Sequence, residues 1–300
     1  MSDRVAVVTG ANAGLGFQTA MELARSGFTV VLGCRSPARA AQAESRLHHH
    51  VPDARTLVIP LDVSEPDSVS EFARQLAGQV GHLDLLINNA GVAGVPLAHN
   101  SAGHELQLAT NYLGAFALTG KLLPMFRTAA PARIINVGSL AHRIAKLDID
   151  DLNWERSPYG EWRAYARSKI ALLTFTMELN RRLRQAGSHV IALAAHPGFA
   201  STNIGKSNSL TNPSNPIGKW VNHRMEKLIP SAWQATGPII FAALAEGVQG
   251  GDYYGPGGWL EIAGKPARAS LKAVVRNVEK ARRLWSLSES LTGIRYLSDL

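Results

Sequence analysis

A tyrosine and a lysine stand four residues apart in the segment Tyr165-Ala166-Arg167-Ser168-Lys169. The surrounding sequence has helical character, and on a helix residues i and i+4 lie one above the other on the same face. A cation fixed beside a phenol favours the phenolate, so we expect Lys169 to lower the pKa of Tyr165 from its usual value of about 10. Such a tyrosine can exchange a proton near neutral pH. The spacing is common by chance, and its meaning depends on the rest of the chain.

A glycine-rich turn near the start of the chain supplies that context. Thr9-Gly10-Ala11-Asn12-Ala13-Gly14-Leu15-Gly16 follows a short β-branched run and precedes a helical pattern. Gly10 permits a tight turn, and Gly14 and Gly16 leave room where the backbone approaches a pyrophosphate and where helix meets strand. The helix N-terminus then presents N–H groups and a positive dipole end to the phosphates. Together, the turn and the Tyr–Lys pair predict hydride transfer with a dinucleotide.

The end of the second predicted strand discriminates between the two nicotinamide cofactors. An NAD enzyme usually has an acidic residue there, which binds the ribose hydroxyls. This chain has Cys34-Arg35 instead. The planar guanidinium of Arg35 can pair with a 2′-phosphate, and Arg39 lies one turn further on. NADP is therefore predicted over NAD, although a surface arginine at a strand end is the plainer interpretation of Arg35.

The elements that position these residues alternate along the chain. The predicted strands cover Arg4–Thr9, Phe28–Cys34, Arg55–Leu61, Leu83–Ile87, Arg133–Val137 and His189–Ala195. The predicted helices include one that Ser64 caps, one over about Leu106 to Phe126 and one over Tyr159 to Gln185. Apolar strands between helices indicate a doubly wound parallel α/β sheet. Such sheets bind ligands where their strands end, and polar or turn residues stand at or just beyond those ends: Thr9, Arg35, Asp62, Asn88, Ser139 and Pro197.

Composition indicates one large domain. The 300 residues are 46% hydrophobic and 18% charged, as in soluble globular enzymes. No apolar run approaches the roughly 18 residues of a membrane helix. A strand begins by Val5, which leaves no room for a signal peptide, and the single cysteine, Cys34, reads as a buried thiol. A cytoplasmic location is the expectation that follows.

The last part of the chain departs from the alternation. We expect a catalytic domain over residues 1–262, with a lid over the substrate at about 199–230, where loop residues dominate. Residues 263–300 form a predicted basic helical extension and carry much of the net charge of +8. No nucleic-acid motif accompanies them. The amphipathic pattern from Leu271 to Leu291 is expected to dock on the domain, on a second subunit or on a membrane surface, in that order.

Two other arrangements of polar residues are weaker indicators of function. His48, His49 and His50 point about 100° apart on a helix, so they do not converge on one ion, and no metal site is expected. Ser139 with His142 or His196 could indicate a hydrolase, but the chain has no G-x-S-x-G nucleophile elbow. Trp162, Trp220 and Phe199 are candidates for a substrate-binding surface.

From about residue 4 to residue 255 the chain closely resembles the short-chain dehydrogenase/reductase family. The matching motifs, in order, are the glycine turn, Asp62-Val63, Asn88-Asn89-Ala90-Gly91, Asn111, Ser139, Tyr165 to Lys169 and Pro197-Gly198. Within the family, Gly33-Cys34-Arg35, the long interval from Ser139 to Tyr165 and His196-Pro197-Gly198 are similar to the retinol-dehydrogenase-like branch. Where the family often has two serines after the fifth strand, this chain has Gly138-Ser139.

The resemblance implies a Rossmann fold and a role for each matching position. Ser139 would bind the substrate oxygen, Tyr165 would exchange the proton, Lys169 would bind the nicotinamide ribose, and Asn111 would hold a water. It also implies homo-oligomers formed through the two long helices. The positions implied to bind the cofactor are Gly10, Asn12, Gly14, Leu15, Gly16, Arg35, Asp62, Val63, Asn89, Ala90, Gly91, Tyr165, Lys169, Pro197, Gly198 and Thr202.

The sequence thus predicts an NADP-dependent oxidoreductase that interconverts an alcohol and its aldehyde or ketone. Few charged groups near Tyr165 remain without an assigned role, so an apolar substrate is expected. Two alternatives stay open: a non-catalytic NADP-binding sensor or scaffold, and a nucleotide-sugar epimerase. A pure binder has no need of Ser139, and the epimerases space their glycines differently.

Overall fold

The computed structural model describes residues 4–127, 131–198 and 232–297, and the predicted lid, with Thr202, Phe199 and Trp220, lies outside them. Eight strands form a single sheet in the order β3-β2-β1-β4-β5-β6-β7-β8. The first seven strands pair in parallel, and β8 pairs antiparallel with β7. The strands are β1 Arg4–Thr9, β2 Phe28–Cys34, β3 Arg55–Pro60, β4 Leu85–Asn88, β5 Ala132–Val137, β6 Val190–Ala195, β7 Tyr253–Pro256 and β8 Pro266–Arg268.

Helices cover both faces of the sheet, because its strands are apolar on both sides. The described helices are α1 Gly14–Arg25, α2 Pro37–His50, α3 Pro66–Gln79, α4 Leu106–Leu108, α5 Gly114–Leu122, α6 Glu161–Gln185, α7 Ala232–Leu244 and α8 Val278–Thr292. One core lies between the sheet and α3, α5, α6 and α8, and the other lies beneath α1, α2 and α7. The predicted doubly wound fold is confirmed. Across the described residues, every helix is too short or too polar to cross a bilayer.

The predicted helix over Leu106 to Phe126 is a continuous helical run with three hydrogen-bonding patterns. A π-helical segment, Ala109–Leu113, joins α4 to α5, and the 3₁₀ turn Leu123–Met125 ends the run. Short π segments concentrate at functional sites. The apolar pattern predicted the extent of the helix but not this local widening, which carries Asn111.

Several predicted boundaries need correction, among them the start of β4, which is Leu85 and not Leu83, and the start of the C-terminal helix, which is Val278 and not Leu271. The N-cap of α3 is Glu65, because the Ser64 hydroxyl instead donates to Asp62 Oδ1 at 2.6 Å. Helix α6 begins at Glu161 and not at Tyr159, whose hydroxyl bonds Glu105. Strand β6 begins at Val190, one residue later than predicted.

The C-terminal helix α8 packs on the domain, the preferred of the three predicted arrangements. The Trp285 ring is 1% exposed and meets Phe116, Phe175 and Tyr296 at centroid distances of 5.2, 5.8 and 4.9 Å. The opposite face of α8 carries exposed basic residues such as Arg282 and Arg283. The aromatic contacts make α8 part of the core shared with α5 and α6.

A chain of buried amides and hydroxyls links two neighbouring strands to the helices above them. Asn88 on β4 stands opposite Asn136 on β5, and its Nδ2 donates to Asn136 Oδ1 at 2.8 Å and to Thr119 Oγ1 at 3.2 Å. Asn136 Nδ2 in turn donates to Thr176 Oγ1 on α6 at 2.9 Å. Buried polar groups of this kind are costly unless they are paired.

Candidate active site

The candidate site lies at the carboxyl edge of the sheet, where the strand order reverses between β1 and β4. Thr9, the last residue of β1, accepts hydrogen bonds at its hydroxyl from the N–H groups of Asn89 and Ala90 at 3.0 and 2.9 Å. Asn89 Nδ2 donates back to the Thr9 carbonyl at 2.8 Å. Ligands of open α/β sheets bind at such a switch point. The sequence placed Thr9 at the end of a strand but did not predict that its hydrogen bonds join β1 to the loop after β4.

The glycine turn opens directly onto this crevice. Gly10 and Gly14 have φ angles of 67° and 54°, which glycine adopts without strain. A Cβ on Gly16 would lie 2.2 Å from the Gly10 carbonyl oxygen, so only glycine fits there. Nothing within 4 Å would meet a Cβ on Gly14, so its positive φ, and not a close contact, explains that glycine. Leu15 is buried in α1.

The start of α1 fits a dinucleotide pyrophosphate. Its N-cap is Ala13, and no side chain within the described residues caps the helix. Uncapped N–H groups and the positive end of the helix dipole favour a bound anion. Beside them, the Asn12 carbonyl accepts a hydrogen bond at 3.2 Å from Arg46 of α2, a residue that the sequence reasoning missed. Arg46 stands far from the motif in sequence, and no local pattern marks it.

The predicted adenosine-binding residues come together at the ends of β2 and β3. The Arg35 side chain is 74% exposed, and its Nε lies 3.9 Å from Asp62 Oδ2. Asp62 Oδ1 accepts from the Ser64 N–H at 3.0 Å, which fixes the carboxylate. Val63 is buried, and its carbonyl oxygen packs so closely on Gly114 that a Cβ there would lie 2.0 Å away. The exposed guanidinium therefore lies at the carboxyl ends of β2 and β3.

Ser139 and Tyr165 lie near each other at the end of β5 and the start of α6. Ser139 follows β5 and caps the 3₁₀ helix Leu140–Arg143, its hydroxyl accepting from the Ala141 N–H at 3.2 Å. Burial raises the pKa of Tyr165 above its usual value, while a hydrogen bond with the Ser139 hydroxyl lowers it. Trp162, 39% exposed, packs edge-on against the Tyr165 ring at 6.0 Å. Two hydroxyls thus stand together beside an apolar side chain.

The net pKa of Tyr165 is raised by burial, and Lys169 is not among the groups that shift it. Lys169 Nζ donates to the Val137 carbonyl at 2.8 Å and lies 5.9 Å from the Tyr165 ring centroid. Burial lowers the pKa of Lys169 to about 8, and the pKa of Tyr165 is raised. The i, i+4 spacing puts both residues on one face of α6, but the backbone carbonyl at the end of β5 competes for the ammonium.

Asn111 lies beside Lys169 in the π segment. Its Nδ2 donates to the Val92 carbonyl and to Ser168 Oγ at 2.8 and 2.9 Å, and its Oδ1 accepts from the Val92 N–H at 2.8 Å. A Cβ on Gly91 would lie 3.0 Å from Asn111 Oδ1 and 3.6 Å from Lys169 Nζ. Gly91 thereby lets the β4 loop pass close to both side chains. The sequence motif includes Ser168 without a role of its own, and the structure gives it this contact.

The loop after β6 borders the other side of the crevice. Pro197 and Gly198 follow β6, and the Gly198 N–H donates to His196 Nδ1 at 3.1 Å. Thr202, the remaining predicted cofactor residue, lies outside the described residues. Tyr253 on β7 was not predicted to belong to the site; its buried hydroxyl would lie 3.0 Å from a Cβ on Gly138.

The cysteine, the three consecutive histidines and Trp154 lie outside the candidate active site. Cys34 is 1% exposed, and burial raises its thiol pKa to about 11, as expected of a buried structural thiol. The three histidines end α2. Trp154 is buried beneath the Arg167 guanidinium, 3.6 Å from its ring centroid. Within the described residues, no group of three or more His, Cys, Asp or Glu side chains could hold a metal ion.

Comparison with known proteins agrees with this geometry. The sequence profile of the family described as short chain dehydrogenase matches residues 4–213. Retinol dehydrogenase 13 of Homo sapiens is 39% identical over 303 residues, which cover 97% of this chain and 85% of that protein. A crystal structure of an uncharacterized protein from Mycobacterium Paratuberculosis is 35% identical, with a TM-score of 0.80 and coverage of 98% and 94%. The Pseudomonas aeruginosa RhlG/NADP active-site complex is 26% identical, with a TM-score of 0.62 and coverage of 83% and 93%.

The profile match spans more than half of the chain, and the similarity to retinol dehydrogenase 13 extends over nearly all of it. The doubly wound sheet, the glycine turn and the Ser139–Tyr165–Lys169 cluster agree with both findings. This chain therefore belongs to the short-chain dehydrogenase/reductase family, in which it resembles the retinol dehydrogenases, and it is an NAD(P)-dependent oxidoreductase that acts on CH–OH groups.

Proposed function

We propose that the protein is an NADP-dependent oxidoreductase that interconverts an apolar alcohol and its aldehyde or ketone. The observation that carries the proposal is the proximity of the Ser139 hydroxyl to the Tyr165 phenol, whose pKa it lowers, with Lys169 one helical turn away on the same face of α6. When bound, NADP donates or accepts the hydride. The residues around it orient the substrate and move the proton.

Ser139 and Tyr165 act on the substrate oxygen. During reduction, negative charge grows on that oxygen, and two hydroxyl donors aimed at it stabilise the charge. Tyr165 then gives up its proton to the oxygen. Burial raises the pKa of Tyr165, so the phenol keeps its proton until hydride transfer creates a strongly basic substrate oxygen that takes it. Lys169, kept charged below about pH 8, favours the phenolate that remains.

Four observations support the assignments of the cofactor and the substrate class. The Arg35 guanidinium is 74% exposed at the end of β2, where a 2′-phosphate would lie, and the 26% identical RhlG structure is an NADP complex. Trp162 beside Tyr165 and the 84% exposed Ile144 beyond the Ser139 turn offer apolar surface, and the curated relative is a retinol dehydrogenase. The cytoplasmic location and the homo-oligomer remain predictions.

The test follows oxidation of NADPH by absorbance with a panel of apolar aldehydes and ketones that includes retinal. Tyr165→Phe removes the hydroxyl that exchanges the proton, and general acid catalysis contributes about 10²–10⁴-fold, so we expect kcat to fall at least about 100-fold. The matched control is Tyr254→Phe, which also loses one hydroxyl, here bonded to Asp252 at 2.7 Å. Equal turnover by Tyr165→Phe and wild type would contradict the role of Tyr165. Binding of NADPH without turnover of any panel member would contradict the substrate class.

A further inference from the structure

A carboxylate outside the motifs connects the two segments that flank the candidate active site. Glu261 ends a tight turn, Trp259–Glu261, in the connection between β7 and β8. Its Oε1 accepts from Arg143 at 2.7 Å and from the Ser270 N–H at 3.0 Å, and its Oε2 accepts from His196 Nε2 at 3.0 Å. The Glu261 side chain is only 16% exposed. Three donors around one shielded carboxylate make a well-defined junction.

The backbone of this turn is strained to place the carboxylate there. Leu260 and Glu261 have φ angles of 51° and 59°, in the left-handed region that non-glycine residues avoid. The turn also leaves Trp259 and Leu260 80% and 55% exposed. Such strain persists only where the surroundings over-determine the conformation, and it concentrates at functional sites. Here the contacts of the Glu261 carboxylate hold the turn.

His196 transmits the position of Glu261 to the loop after β6. The Gly198 N–H donates to His196 Nδ1, so that nitrogen carries no proton, and the proton lies on Nε2, which donates to Glu261. Burial lowers the pKa of His196 to about 4, which keeps the ring neutral and this tautomer in place near pH 7. A Cβ on Gly255 would lie 1.9 Å from His196 Nε2, so glycine at that position makes room for the ring.

The turn also contacts that loop directly. A Cβ on Gly198 would lie 2.2 Å from the Ile262 carbonyl oxygen, so the residue after Glu261 packs on the backbone beside Pro197. Glu261 is thus connected to Gly198 in two ways: through the hydrogen bonds of His196, and through Ile262, the next residue in the chain. These contacts fix the loop against the end of β7.

Arg143 transmits the position of Glu261 to Ser139. Arg143 is the last residue of the 3₁₀ helix that Ser139 caps, so one turn of helix separates the two. The ring Nδ1 of His142, in the same turn, lies 2.7 Å from the Ser139 carbonyl oxygen. Holding Arg143 therefore holds the turn that aims the Ser139 hydroxyl.

From these contacts we propose that Glu261 is a positioning residue for hydride transfer. It fixes the position of the Ser139 turn relative to the Pro197–Gly198 loop. The substrate oxygen, bound by Ser139, and the nicotinamide ring, bordered by the loop, are then aligned for hydride transfer. Small misplacements of reacting groups cost rate even when binding is intact. The inference rests on the proposed function, and Glu261 itself touches neither substrate nor cofactor.

The test compares Glu261→Gln with Glu279→Gln, an exposed glutamate on α8. The amide oxygen in Glu261→Gln can still accept from Arg143 and Ser270, but the amide nitrogen then faces the His196 Nε2–H, donor against donor. We expect kcat for carbonyl reduction to fall about 10- to 100-fold, with the Kd for NADPH within about twofold of wild type. The isotope effect on kcat with 4-deuterated NADPH should rise, because hydride transfer becomes slower than product release.

A role confined to stability would instead lower the folded fraction without changing the isotope effect, and that outcome would overturn the proposal. Arg143→Gln provides a second arm, because its side chain is 36% exposed and tolerates replacement. It should lower kcat about 3- to 10-fold, and the double variant should be slower than Glu261→Gln alone, because the amide oxygen of the single variant still binds Arg143. Unchanged kcat in Arg143→Gln would count against the proposal even if Glu261→Gln failed to fold.

An inactive wild type would contradict the proposed function, whereas active wild type with equally active variants would contradict only this inference.

Discussion

At the scale of single residues, the Tyr165–Lys169 pair shows what sequence spacing can and cannot predict. The i, i+4 interval correctly puts both side chains on one face of α6. It cannot predict that the Val137 carbonyl, 32 residues away in sequence, binds the ammonium at 2.8 Å. Lys169 is 4% exposed and its ammonium donates to this neutral group, so folding buries a charge at a cost.

We therefore expect Lys169→Met to stabilise the protein without cofactor while abolishing turnover. The pKa of Lys169 falls from 10.5 to about 8 on folding, so below pH 8 the lysine is charged in both states and the cost of burying it is fully present. Between pH 8 and 10.5 the native state has released the proton and the unfolded state has not, and the cost declines. The free energy of unfolding should rise by about 1–3 kcal/mol at pH 7, with a smaller gain at about pH 9.5.

The measurement is urea unfolding of wild type and variant at both pH values. Lys280→Met, at an exposed position on α8, is the control and should leave the free energy of unfolding nearly unchanged. A Lys169→Met variant that is less stable than wild type at neutral pH would show that the Val137 hydrogen bond outweighs the buried charge.

Arg35 should determine the choice between NADPH and NADH. A guanidinium bonded to phosphate contributes about 1.5–3 kcal/mol, so we expect Arg35→Ala to lower kcat/KM for NADPH roughly 10- to 100-fold. Turnover with NADH should stay within about twofold of wild type. Arg74→Ala is a matched control, since the Arg74 side chain is 73% exposed and that of Arg35 is 74% exposed. Steady-state kinetics with both cofactors measure the effect, and an equal loss for both would rule out a 2′-phosphate contact.

At the scale of elements, hydrophobic periodicity predicted most helices and strands to within a residue or two. It failed at one helical segment and at one helix cap. The π segment around Asn111 has the same apolar pattern as an α-helix, although its backbone hydrogen bonds differ from those of an α-helix. Ser64 has the composition of an N-cap, but its hydroxyl is taken by Asp62. At Ser64 a side-chain bond to a residue two positions away competes with the helix cap.

The docking of α8 should contribute substantially to stability. Trp285 is 1% exposed, and the Arg182 guanidinium lies 4.4 Å from its ring centroid. Trp285→Ala leaves a cavity among aromatic rings, and such changes cost about 3–5 kcal/mol. Trp233→Ala, at a tryptophan that is 61% exposed, should change the free energy of unfolding by no more than about 0.5 kcal/mol. Urea denaturation measures both, and a loss below about 1 kcal/mol in Trp285→Ala would mean that α8 is dispensable for the fold.

At the scale of the whole molecule, the location of the site was predictable because parallel topology leaves few choices. Once alternating elements imply a doubly wound sheet, the carboxyl ends of the strands must share one edge, and the motif residues must meet there. Strands β7 and β8 and the turn between them were not predicted, and β8 lies within residues 263–300, which were expected to be a helical extension. The contact between His196 and Glu261 spans 65 residues, so no sequence periodicity marks it.

The amide chain through Asn88 and Asn136 has a consequence for how the sheet assembles. Strand β4 is only four residues long, and apolar strands of that length can pair in more than one alignment. Shifting β4 by one residue against β5 would separate Asn88 from Asn136 and leave amide groups buried without partners. The Asn88–Asn136 pair therefore favours one register of β4 against β5, because any other register leaves buried amides unpaired. It thereby fixes the centre of the sheet at whose edge the crevice lies.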